Sequence, residues 1–151
     1  MKGDALLFAG ETIYSIGIRA FEDGSPYTHV AIDIGDGQLI EAWPGTGVRG
    51  RAIPNDPAIT RWRLREPVRD ALKFDYAISI LKTQLGRPYD VPGIVDVVVA
   101  RRLMPHDGWF CSELADAFYA WAGLMLEQTD EYVVPARFSR EPFVEVLGGD
   151  V

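Results

Sequence analysis

The chain has 151 residues, 48% of them hydrophobic and 25% charged, the balance of a soluble globular protein able to bury about two thirds of its unfolded surface in one core. With 15 Lys and Arg against 22 Asp and Glu its net charge is -7, which argues against a nucleic-acid partner and against acidic membrane surfaces, both of which need clustered cations. A single cysteine makes no internal disulfide, and two histidines form no Cys/His cluster of zinc-site spacing, so a structural metal is not expected.

One domain covering residues 1–151 is the simplest organisation. Met1-Lys2-Gly3-Asp4 carries no apolar leader run, so the expected location is cytoplasmic, as encoded. Ala5-Leu6-Leu7-Phe8 reads as a short buried strand, and Thr12 to Phe21 as a short helix with Ile13, Ile16 and Ala20 on one face. Thr28 to Ile34 alternates, with Val30, Ile32 and Ile34 on one side and His29, Ala31 and Asp33 on the other, the pattern of a half-buried strand. Gly35-Asp36-Gly37 turns the chain, and Gln38 to Trp43 runs back to complete a hairpin.

Register decides what this hairpin can do. With a three-residue loop and Gly37 left-handed, Ala31 opposes Glu41 and His29 opposes Trp43. Glu41 is then diagonal to His29 on the same face, within reach of a longer side chain. A two-residue turn would put the two on opposite faces.

Val48 to Ile53 and Ile59 to Arg65 are two further strands, separated by Pro54-Asn55-Asp56-Pro57. Both alternate with arginine, at Arg49 and Arg51, then Arg61, Arg63 and Arg65. A solvated outer face is the expected reading, with a patch for an anionic substrate as its rival. The spacing of Ala71, Phe74, Ile78, Leu81 and Leu85 predicts a long amphipathic helix over Pro67 to Leu85, stopped at Gly86. A second helix is expected over Ile94 to Leu103. Its apolar run is far shorter than the roughly 20 residues that span a bilayer, so no integral membrane segment is expected. Phe143 to Leu147 reads as a last strand.

Between these lies the stretch Trp109-Phe110-Cys111-Ser112-Glu113-Leu114. Phe110, Leu114, Ala117, Phe118, Trp121 and Leu124 or Met125 recur at helical spacing, which puts Cys111 in the first turn of a helix. Unpaired backbone NH groups and the positive end of the helix dipole favour an anion there, the setting of a nucleophilic thiolate. The bland alternative is a small core hydrophobe beside Leu114, Ala115 and Phe118. A nucleophilic thiolate needs a base, and the base needs an orienting partner. His29 on a strand is preferred to His106 in a turn-rich loop, because a strand holds a side chain more rigidly. Glu41 is the partner that the hairpin register offers.

Gly3-Asp4 leading into an apolar strand, Tyr27-Thr28-His29-Val30, Leu85-Gly86-Arg87-Pro88-Tyr89-Asp90 and Trp109 to Leu114 together resemble the circularly permuted branch of the NlpC-type papain-like superfamily. YiiX-like proteins and, more distantly, lecithin:retinol acyltransferase belong to that group. There the histidine strand precedes the cysteine helix, as here, and the likeness runs from the first residues to about Leu124. It implies an α+β papain-like fold in which an antiparallel sheet packs against helices, with Cys111 as nucleophile at a helix N-terminus. It also implies His29 as the base and Glu41 as the third polar residue, with Tyr27 and Tyr89 beside the site. The implied activity is acyl transfer by a cysteine peptidase or amidase on a small amide, a cell-wall peptide or an ester, chemistry that needs no metal or organic cofactor. A lipid acyltransferase or thioesterase is one rival, and a binding or phage- or prophage-associated module with a vestigial site is the other.

Overall fold

The computed structural model describes residues 1–9, 26–89, 108–126, 135–140 and 142–146. Among them, strands β1 (Ala5–Ala9), β2 (Tyr27–Gly35), β3 (Gln38–Trp43), β4 (Gly47–Ala52), β5 (Ile59–Leu64) and β6 (Phe143–Glu145) form one sheet in the order β4-β3-β2-β1-β5-β6. Every neighbouring pair is antiparallel. Helices α1 (Phe74–Thr83) and α2 (Cys111–Ala122) pack on the sheet, giving an α+β architecture.

Strand alternation sorts the core. Ala5, Leu7, Val30, Ile32, Ile40, Ala42, Val48 and Leu64 face Ala77, Ile78 and Leu81 of α1 and Leu114, Ala115 and Phe118 of α2. Each large side chain withdrawn from water in this layer contributes about 1.5–3 kcal/mol. Phe118, Tyr119, Phe138 and Phe143 form an aromatic knot with successive centroids 5.0–5.8 Å apart. The buried Tyr119 hydroxyl donates to the Gly3 carbonyl at 3.0 Å, as a phenol in an apolar layer must.

The opposite face is closed as well. Leu6, Ala31 and Leu39 form a second buried cluster there, flanked by Phe8, Ile53 and Ile59. Strand β2 is therefore buried on both faces rather than half-buried, and Asp33 and Glu41 are buried with it. The physical reason is that arginines of β4 and β5 lie against these carboxylates instead of extending into water.

The helix predicted from Pro67 is shorter than its apolar spacing suggests. Arg69–Ala71 is a single 3-10 turn, Leu72 is extended (φ -94, ψ 148), and α1 starts only at Phe74. The break lets the Lys73 NH donate to the Ala122 carbonyl at 3.0 Å and Phe74 stack on Phe118 at 6.0 Å, so docking against the end of α2 outweighs continued helix. Leu85 falls after the helix and is 47% exposed. Helix α2 stops at Gly123, whose φ of 106 suits glycine at a helix end, and Met125 beyond it is exposed. The predicted helices at 12–21 and 94–103, the loop histidine His106, and Leu147 lie outside the described residues. No helix among the described residues is long and apolar enough to cross a membrane.

Candidate functional site

The hairpin reaches the expected register by an unexpected route. Gly35 pairs with Gln38 across a two-residue turn, Asp36 and Gly37, both at positive φ (52 and 68). A register shift between Asp33 and Gly35 then restores Asp33 opposite Leu39 and Ile32 opposite Ile40. The Asp33 carboxylate supports this bulge by accepting the Gly35 NH at 2.8 Å. One extra residue in the strand thus undoes the face change that the short turn would cause. The predicted three-residue loop is wrong in detail, and the facing that it implied still holds.

As a result His29 and Glu41 share a face. The His29 Nε2–H group donates to Glu41 Oε2 at 2.9 Å. A second irregularity, between Phe8 and Ala9 of β1, leaves Thr28 as the extra residue immediately before His29. Bulges of this kind re-aim the neighbouring side chain. The imidazole is held between two rings, Phe8 at 5.3 Å and Trp43 at 5.1 Å, the latter edge-on.

Glu41 is 1% exposed and would be costly to bury as a bare charge. It is not bare. Arg49 opposes it directly on β4 and Arg51 lies two residues further on the same face. Oε1 accepts from Arg49 Nε at 2.9 Å and from Arg51 Nε at 2.7 Å, while Oε2 accepts from Arg51 Nη2 at 3.2 Å. Burial would raise the Glu41 pKa, but hydrogen bonds from His29 and Arg51, the histidine charge and Arg49 outweigh it and bring it down to about 2. These arginines are neither a solvated outer face nor a free anion patch; they are counter-ions of a buried acid.

His29 is 8% exposed. Burial would lower its pKa, but the charge and hydrogen bond of Cys111, followed by those of Glu41, raise it to about 9. The group is an imidazolium at neutral pH. With Nε2 committed to Glu41, Nδ1 is the nitrogen left to meet the sulfur.

Cys111 is 2% exposed and belongs to the helix-side core with Leu114 and Ala115. Packing alone would therefore fit the bland reading. Its electrostatics do not: Cys111 acts on the buried imidazole of His29 and raises its pKa. Phe110, the residue before the helix, offers no side-chain oxygen to the first turn, and its own NH donates to Glu113 Oε2 at 3.2 Å. Cys111 thus stands in a turn whose amides receive no cap from the N-cap side chain.

A strap from the far edge of the sheet fixes this helix start. Val48 of β4 donates to the Arg87 carbonyl at 2.8 Å and accepts from the Gly86 NH at 2.9 Å. Trp109 NH donates to the Pro88 carbonyl at 3.1 Å, Trp109 Nε1 donates to Gln84 Oε1 at 3.1 Å, and Tyr89 bridges Trp109. Gly47 is required for the contact: it sits at φ +78, and a Cβ there would lie 2.1 Å from the Arg87 carbonyl oxygen. The edge strand that supplies the arginines is therefore tied through five residues to the cysteine. Of the tyrosines named from the sequence, Tyr89 is buried beside Phe110 at 5.8 Å, and Tyr27 packs partly buried on the core.

His29 and Glu41 are thus brought together by a hydrogen bond, and Cys111 acts on His29 electrostatically. Sequence reasoning left the arginines undecided and missed the service that Arg49 and Arg51 perform. The signal was available: in an antiparallel hairpin of β3 and β4, a glutamate and arginines at matching parity share a face. Among the described residues no three His, Cys, Asp or Glu side chains are grouped to hold a metal ion.

These elements define an α+β protein in which an antiparallel sheet presents a carboxylate-bound imidazolium to a cysteine at a helix start. No family model and no curated protein matches the sequence.

Proposed function

We propose that the protein is a cysteine hydrolase, a peptidase or amidase of the permuted NlpC-type papain-like kind, with Cys111, His29 and Glu41 as its catalytic centre. The observation that carries the reading is the buried His29–Glu41 hydrogen bond at 2.9 Å, with Cys111 at a helix start acting electrostatically on the same imidazole. The Cys111 thiolate attacks an amide or ester carbonyl carbon, forming the carbon–sulfur bond while the carbonyl electrons move to oxygen. The Cys111 backbone NH is a donor to that oxyanion. Collapse breaks the bond to the leaving nitrogen or oxygen, which takes its proton from the His29 imidazolium. Water then attacks the thioester, the neutral imidazole receives its proton, and the sulfur departs. Glu41 stays ionised throughout and fixes the ring by its hydrogen bond to Nε2.

The substrate class that the resemblance supplies is a small amide, a cell-wall peptide or an ester. A panel of peptide amides, muropeptide fragments and acyl esters, assayed with wild type and Cys111→Ala, tests the proposal. The expected result is turnover of at least one class and its loss by at least about a thousandfold in the variant, with unchanged thermal unfolding. Equal turnover by the two proteins would end it.

A further inference from the structure

We propose that Arg49 and Arg51 are positioning residues of this centre, a double guanidinium fork that fixes which oxygen of Glu41 meets His29. The inference rests on the hydrolase reading for its catalytic consequence and on geometry alone for its structural one.

The two carboxylate oxygens have divided tasks. Oε1 faces only arginine, taking Arg49 Nε at 2.9 Å, Arg49 Nη2 at 2.8 Å and Arg51 Nε at 2.7 Å. Oε2 takes His29 Nε2 at 2.9 Å and is steadied by Arg51 Nη2 at 3.2 Å. Arg51 therefore spans both oxygens, the two-pronged contact that a planar guanidinium makes and an ammonium cannot. Rotation of the carboxylate about its last bond would break four arginine contacts at once.

The forks are themselves held. Arg49 lies over the Trp43 ring at 4.6 Å and Arg51 over the Phe8 ring at 5.7 Å. Those are the same two rings that flank the imidazole. Carboxylate, arginines and aromatics thus close one cage around His29. A mere counter-ion would neutralise Glu41 from any direction; here the direction is specified at both ends of each arginine.

The two roles predict opposite signs for the His29 titration. Removing a plain positive charge would raise the His29 pKa or leave it unchanged. Removing a positioning fork releases Glu41 from His29 and lowers it. The chain has two histidines, so ¹⁵N NMR titration assigned with His29→Gln reads His29 directly. In Arg51→Gln the expected result is a His29 midpoint at least one unit below wild type, with kcat reduced about tenfold or more and KM within twofold. Arg51→Lys keeps the charge and guards against a misfolded variant; its expected midpoint also falls, by less. Midpoints equal to or above wild type in both variants would overturn the proposal. If Cys111→Ala retains turnover, the hydrolase reading fails by itself, and the His29 midpoints still decide what the arginines do.

Discussion

Two buried carboxylate clusters sit on the same face of the sheet, and their differences say more than their likeness. Around Asp4, which is 0% exposed, Arg63 binds both oxygens (Nε to Oδ1 at 3.0 Å, Nη2 to Oδ2 at 2.9 Å), Arg61 adds 3.1 Å and Arg69 adds 3.2 Å. Arg61 also bridges to Asp33. Around Glu41 two arginines play the same part, but Oε2 also accepts from an imidazole on which Cys111 acts electrostatically. Asp4 is held by the Met1 ammonium at 3.0 Å and by three arginines, which keep their protons across the accessible pH range. His29 does not. The first cluster ties β1, β2, β5 and the Arg69 turn together; the second can exchange a proton.

Substitution of the two acids sharpens the contrast most strongly. Asp4→Ala leaves three arginines around an empty position and is expected to cost about 3–5 kcal/mol in urea unfolding, while turnover per folded molecule changes little. Glu41→Gln keeps the shape and is expected to lower kcat by roughly a hundredfold, through loss of the imidazole's partner. If Asp4→Ala abolished turnover of the folded fraction, or Glu41→Gln left kcat intact, the division between the clusters would be mistaken.

Acid and alkali separate them with smaller effects. The Asp4 carboxyl is held below its usual 3.8, although burial opposes this, because hydrogen bonds from Arg63 and its other cationic partners outweigh the desolvation. Its contribution is present above pH 3.8 and is lost as pH falls further. Glu41, lowered from 4.5 to about 2, behaves likewise, with its contribution lost as pH falls through about 2. His29 has the opposite sign: raised from 6.5 to about 9, its contribution is complete below pH 6.5 and disappears as pH rises through about 9. Loss of the His29 proton should lower stability between pH 6.5 and 9.5 by no more than about 3 kcal/mol. Denaturant unfolding across that range should show a steeper slope in wild type than in His29→Gln. A slope unchanged by the substitution would assign it elsewhere.

Much of this arrangement was legible in the chain. The bounds of β3, Gln38–Trp43, follow from alternation between a glycine turn and Pro44, and Cys111 heads α2 as the apolar spacing requires. The His29–Glu41 pairing was legible only because its register survives a change in turn type. The loop was read as Gly35-Asp36-Gly37, and no sequence signal shows that Gly35 joins the ladder while a bulge absorbs the difference. Strand periodicity tells which residues share a face but not whether that face meets water. Arg49, Arg51, Arg61 and Arg63 therefore read as solvated until the carboxylates opposite them were seen to be buried. Asp4 drew notice as part of a motif, not as the hub of four strands and turns, because its partners lie 57 to 65 residues away. The start of α1 was misplaced for a similar reason: the break at Leu72 answers to contacts with the end of α2, which local propensity does not encode.

The central claim is that the imidazolium of His29 activates the sulfur of Cys111, and alkylation of that sulfur measures it most directly. The chain has one cysteine, so the mass gained from iodoacetamide reports Cys111 alone. Wild type is expected to react at pH 7 at least about tenfold faster than His29→Gln. Equal rates for the two proteins at pH 7 would contradict the account and leave Cys111 a packing residue beside an unrelated histidine.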